Sequence, residues 1–151
     1  MKQQLIEASA HSVGNVDQVW RLVTDIATWK EWGRWSEATI EEPDADERQG
    51  VGAIRRFKYG TTTSRERIIG VVAPRQFSYE LLSGLPVRNY RGDVILTAAA
   101  AGGTDITWRS QFEGRFPGQG AVMRIMLGRF IKDAAGRLAR AAEVPTTTPR
   151  R

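Results

Sequence analysis

A single long amphipathic segment, Gln119 to Ala142, limits what this chain can become. Met123, Met126, Leu127, Phe130, Ala134 and Leu138 recur three and four residues apart, which places them on one helical face; Arg124, Arg129, Lys132, Arg137 and Arg140 fill much of the remainder. Pro117, Gly118 and Gly120 punctuate its start and Pro145 its end. At about 1.5 Å per residue, these 24 residues make a rod of about 36 Å, enough to cross a small domain. An apolar stripe of that length needs a broad apolar partner. Almost everything before it reads as short strands, so the partner is a sheet.

The strands show themselves by alternation. Gln3 to Val13 forms an opening strand that Gly14 breaks. Asn15 then caps a short helix carrying Val16, Val19, Trp20 and Val23 on one stripe, with Gln18 at the capping-box position. A second helical segment, Ala27 to Trp32, puts Trp29 and Trp32 on one face and stops at Gly33. Strands follow at Ala38 to Glu42, Gly52 to Tyr59, Thr63 to Val72, Gln76 to Leu82, Val87 to Ala98 and Thr104 to Phe116. In the last of these, Ile106, Trp108, Ser110, Phe112, Gly114 and Phe116 alternate with Asp105, Thr107, Arg109, Gln111, Glu113 and Arg115. That pattern marks an antiparallel sheet, dry on one face and wet on the other. The expected fold is α+β, an antiparallel sheet against a long C-terminal helix with two short helices after the first strand. Residues 1–145 read as a single domain, and Thr146 to Arg151 as a polar tail.

Composition removes several functional classes. The chain has no cysteine, which excludes thiol nucleophiles, thiolate metal sites and disulfides. No run approaches the roughly 20 apolar residues that cross a bilayer, and Met1-Lys2-Gln3-Gln4 opens no apolar leader, so the expectation is a cytoplasmic protein without integral membrane contact. Lysine and arginine number 22 against 17 aspartates and glutamates, a net charge of +5. This excess is spread along the chain and over the outer side of the last helix, the pattern of a solvated face and not of a nucleic-acid partner. The one histidine, His11, ends the first strand as a surface residue. No Ser/His/Asp set, nucleophile elbow, phosphate loop or metal-ligand spacing is legible, so neither a metal nor any other cofactor is implied.

Several local signatures occur in a telling order. Val19-Trp20 and Asp25 are followed by Trp32; Gly50-Val51-Gly52 precedes a strand; Pro74 turns into the strand at Tyr79; Gly102-Gly103-Thr104 leads into Ile106-Thr107-Trp108; and the long helix closes the chain. Over about residues 3 to 142 this resembles the polyketide cyclase/dehydrase and lipid-transport family of the START-like helix-grip (SRPBCC) superfamily. The resemblance implies a curved seven-stranded antiparallel sheet gripping the last helix, the two short helices closing one end, and a ligand cavity inside. Family members include lipid and hormone carriers, polyketide aromatase/cyclases and coenzyme Q-binding proteins, so fold membership does not fix the chemistry.

Such a cavity would be lined by the dry faces: Phe57, Tyr59, Tyr79, Leu81, Tyr90, Trp108, Phe112 and Phe116 from strands, and Met123, Met126, Leu127 and Phe130 from the helix. Core packing accounts for any one of these alone; adaptable methionines and tyrosine hydroxyls that need partners when buried tilt the set toward a cavity. Arg55 shares a face with Phe57 and Tyr59. Either it points inward toward Glu66 or Glu80, or a bulge shifts the register and leaves it solvated. If inward, it would meet a ligand carboxylate or phenolate, with Asn89 or Tyr90 orienting a carbonyl. Trp29, Trp32 and Trp35 form either an aromatic plug under the short helices or the cavity mouth. The leading expectation is a monomer or homodimer that binds a small hydrophobic or aromatic, lipid- or polyketide-like ligand. The alternative is a cyclase, aromatase or dehydrase in which Arg55, Tyr59, Tyr79 or Tyr90 stabilises an enolate or donates a proton; nucleic-acid binding ranks last.

Overall fold

Strands β1 (Gln3–Ser12), β2 (Glu37–Glu42), β3 (Ile54–Tyr59), β4 (Thr62–Val72), β5 (Gln76–Ser83), β6 (Val87–Ala98) and β7 (Thr104–Gly114) form one antiparallel sheet in the computed structural model. Their order is β1-β7-β6-β5-β4-β3-β2, so the first strand returns to pair with the last and β2 lies at the opposite edge. Helix α1 (Val16–Thr24) and the one-turn α2 (Trp29–Trp32), joined through a 3-10 turn at Ile26–Thr28, follow β1; α3 (Gln119–Glu143) ends the described chain. This is the α+β helix-grip arrangement. The structure describes residues 2–143, and the expected tail, Thr146 to Arg151, lies outside them. Among the described residues no helix is long and apolar enough to cross a membrane.

Local chemistry sets the element ends. The Gln18 N–H donates to the Asn15 side chain and the Asn15 N–H to the Gln18 side chain, a complete capping box at the start of α1. β3 begins at Ile54 and not at Gly52, because Gly52 has φ +98° and the Ala53 N–H closes a turn onto the Gly50 carbonyl. β7 stops at Gly114, where α3 comes so close that a Cβ would overlap the Gly120 backbone. Phe116 therefore lies beyond the sheet and is exposed, contrary to the alternation that assigned it to the dry face.

The seating of α3 also departs from its sequence stripe. Its buried residues are Gly120, Met123, Ile131, Ala134, Ala135, Leu138, Ala139 and Ala142, and its main neighbours are β1 and then β7. The small residues Gly120, Ala135, Ala139 and Ala142 let the backbones approach: Ser12 Oγ donates to the Ala139 carbonyl at 2.7 Å, and Gly14 lies so close to Ala142 that no Cβ would fit. Met126, at 60% exposure, together with the half-buried Leu127 and Phe130, faces away from that contact toward the far half of the sheet. The helix thus rests on one flank of the sheet and stands off from the other.

Three bulges tune which side chains look inward. In β6, Asn89 and Tyr90 occupy the span opposite Phe112 alone, and Asn89 takes the left-handed conformation at φ 52°. The extra residue restores Tyr90, Gly92, Val94 and Leu96 to the dry face. Asn89 is turned outward, where its Nδ2 donates to Glu113 at 2.6 Å, so it orients nothing inside the cavity. In the β4–β5 ladder, Leu82 and Ile69 have no partner of their own, which keeps Glu66 and Ile68 in phase with Leu81 and Tyr79.

Candidate functional site

Where α3 stands off, a cavity of about 550 Å³ remains, within the range of about 300–1,000 Å³ usual for small-molecule sites. The sheet side is made by Ser64 and Glu66 on β4, Tyr79 and Leu81 on β5, Tyr90 on β6 and Trp108 on β7. The helix contributes Met123, Met126, Leu127, Phe130, Ile131 and Ala134, and the segment around α2 contributes Trp29, Arg34 and Trp35. Of the residues expected to bind ligand, Tyr59, Tyr79, Leu81, Tyr90, Trp108, Met123, Met126, Leu127 and Phe130 lie together on this wall. Tyr59, 45% exposed at the end of β3, and Met126 stand on its rim.

Trp32, Arg55, Phe57 and Phe112 do not line the cavity; they are buried behind it. Trp32 donates its indole N–H to Thr28 Oγ1 at 3.3 Å and fills the core under α2. Trp29 and Trp35 do reach the wall, so the aromatic cluster is plug and wall at once. The Trp29 ring centroid lies 4.8 Å from Trp32, 5.1 Å from Trp35, 5.4 Å from Phe57 and 5.8 Å from Trp108.

Arg55 points inward. Its Nη2 donates to Glu66 Oε1 at 2.8 Å, its cross-strand neighbour, and only 2% of its side chain is exposed. Four rings surround the guanidinium: Trp29, Phe57, Phe77 and Tyr79, with centroids at 4.6, 5.0, 4.8 and 5.4 Å. It is Glu66, not Arg55, that faces the cavity. Burial pushes the Glu66 carboxyl above its ordinary value, although the Arg55 charge and hydrogen bond pull the other way.

The two buried tyrosines have partners. Trp108 Nε1 donates to the Tyr79 hydroxyl at 2.9 Å, and the Tyr90 hydroxyl donates to Ser110 Oγ at 2.9 Å. Tyr79 lies flat over its cross-strand neighbour Gly92, where any Cβ would overlap the ring. Burial pushes the Tyr90 hydroxyl up to about 12 and Tyr79 well above 10. An unfolded tyrosine ionises near 10. The stability Tyr90 gains by staying protonated is therefore present in full below about pH 10 and lost as pH rises through about 12, a change of roughly 2–3 kcal/mol. In an alkaline titration, the tyrosinate absorbance of Tyr79 and Tyr90 should appear only together with the loss of far-ultraviolet circular dichroism.

At the rim, Arg34 Nε donates to Asp133 Oδ2 at 2.8 Å, and Arg137 Nε donates to the same oxygen at 2.8 Å. The Arg34 hydrogen bond and charge hold the Asp133 carboxyl below its ordinary value. Sequence reading missed Arg34 and Asp133, which lie far apart in the chain and meet only across the gap; it named Glu66 only as an Arg55 partner. The signal for Glu66 was its phase with Ile68, which places a carboxylate on the inward face of β4.

Among the described residues no group of three histidines, aspartates or glutamates is placed to hold a metal ion. No curated protein matches the chain. A family model for polyketide cyclase/dehydrase and lipid transport matches residues 3–143, and with nearly the whole sequence covered the chain belongs to that family.

Proposed function

We propose that residues 1–145 act as one unit that encloses a small, largely apolar molecule of aromatic or lipid-like character between α3 and the sheet. The cavity of about 550 Å³, walled by aromatic and methionine side chains, carries this reading. Apolar ligand surface leaving water supplies the driving force, at about 25 cal/mol per Å² before the costs of association. Methionines at positions 123 and 126 let the wall adapt to ligand shape.

Binding without turnover is favoured over the cyclase reading by the state of two candidate groups. The Tyr90 proton is already engaged by Ser110, and Arg55 is paired with Glu66 behind the wall, so neither is free to serve an enolate. Nucleic-acid binding has less support, because Arg34, Arg65, Arg67, Arg91 and Arg109 are each paired with a carboxylate at the surface.

The neutral probe N-phenyl-1-naphthylamine should bind at one saturable site, with its emission rising as it leaves water. Leu127→Trp, which places a larger ring on the cavity wall, should weaken that binding at least about tenfold while leaving the unfolding midpoint nearly unchanged. Undiminished binding in Leu127→Trp would mean that the probe sits elsewhere and that this cavity is not the site.

A further inference from the structure

Among the described residues Glu66 is the charged group that the strands contribute to the cavity wall, and packing satisfies only one of its two oxygens. Its Oε1 accepts from Arg55, but among the described residues no donor reaches Oε2. Arg55 Nε is the sole fully buried side-chain polar atom without a hydrogen-bond partner among the described residues. Oε2 is therefore not sealed in the core; it opens onto the cavity that Glu66 lines. Arg55 does not follow it there, being enclosed by four rings and absent from the wall.

The other polar groups on the wall offer little to an anion. The Tyr90 proton goes to Ser110, while Tyr79 accepts from Trp108 and its ring stacks on Tyr90. Arg34 shares Asp133 with Arg137, and Arg129, also on the wall, is exposed; neither is paired with Glu66. Ser64 both donates and accepts, so it does not discriminate. A ligand's polar end that reaches the sheet side thus meets a carboxylate oxygen, whose cation partner Arg55 is enclosed by four rings behind the wall.

Resting on the ligand-binding reading, we infer that the cavity selects neutral hydrophobic molecules bearing a hydroxyl, a phenol or an alcohol, whose O–H donates to Glu66 Oε2, and rejects carboxylates of the same shape. A hydroxyl replaces the water that Oε2 would otherwise bind, and the bond is charge-assisted. A carboxylate would set two negative groups together in a poorly solvated space.

Equilibrium dialysis with 2-naphthol and 2-naphthoate at neutral pH tests this. The wild-type protein should bind naphthol at least about tenfold more tightly than naphthoate. In Glu66→Gln the preference should vanish or reverse, because Arg55 is left without its counter-charge. Since that variant is strained by the unpaired arginine, Arg55→Met/Glu66→Met is measured beside it; there naphthol loses its hydrogen bond and the ratio should fall below the wild-type value, although desolvation still disfavours the carboxylate. A ratio near one in the wild type, or a wild-type ratio retained in either folded variant, overturns the selectivity while ligand binding stands. Absence of saturable binding of naphthol, naphthoate and N-phenyl-1-naphthylamine alike overturns the cavity reading and the selectivity with it.

Discussion

Glu66→Ala should lower the unfolding free energy by about 3–5 kcal/mol, and Arg55→Ala by distinctly less, in urea denaturation at neutral pH. The two deletions break the same 2.8 Å pair but leave different orphans. An arginine cannot release its proton in a protein, so without Glu66 a full positive charge stays buried among four rings. Glu66 can take up a proton, and burial already pushes its carboxyl upward. A carboxyl raised in the folded state favours the fold below its unfolded value of about 4.5, an advantage lost as pH rises through the folded value. Arg55→Ala should accordingly recover stability as the pH falls toward about 4.5, and Glu66→Ala should not. The double change Arg55→Met/Glu66→Met removes both charges at similar volume and should be neutral or stabilising. Equal losses from both single changes at every pH would show that the pair is not desolvated as the geometry requires.

Trp29→Ala should also cost about 3–5 kcal/mol, read in the same denaturation experiment. The ring is 2% exposed, touches Trp32, Trp35, Phe57 and Trp108, and donates its indole N–H to the Val23 carbonyl at 3.1 Å. Truncation opens a void that rigid neighbours on two strands and α2 cannot fill, and it removes the nearest ring face from Arg55, 4.6 Å away. Against a total stability of about 5–15 kcal/mol, that is a large fraction. Trp29→Phe keeps most of the ring and should recover much of the loss. A loss below about 1 kcal/mol for the alanine would mean the aromatic cluster is not packed as described.

Fold and site were legible to different depths because different interactions set them. The alternation of β7, a capping box and the long last helix are local patterns, and each appears in the structure close to where the residues put it, although that helix buries a different arc from its apolar stripe. The phase of Arg55 left an inward and a solvated orientation both open, and its partner, Glu66 or Glu80, depended on hairpin register. Gly60, at φ 58°, and Thr61 make a two-residue turn that pairs Tyr59 with Thr62 and hence Arg55 with Glu66; a longer turn would have brought another residue opposite. Asn89 went astray because an inserted residue breaks the period without leaving a mark in composition, and Val87-Arg88-Asn89-Tyr90 shows the break only once Tyr90 is known to face inward. Met126 and Phe116 illustrate a different limit. Periodicity gives the angle between side chains, but it does not say whether an apolar arc ends against a strand, a void or solvent.

The one-sided seating of α3 makes the molecule a book. Its spine runs along β1 and β7, where Gly120 meets Gly114 at one end of the helix and Ala139 and Ala142 meet Ser12 and Gly14 at the other. Its fore-edge is held by the Tyr59 and Trp35 rings against Phe130, and by the exposed Arg34–Asp133 pair, an interaction class worth only about 0–1 kcal/mol. Pages of this kind part easily at one side and hardly at all at the other. A molecule taken up as proposed would slip in past Tyr59 and Met126, on the open side, while the spine along β1 and β7 stays shut.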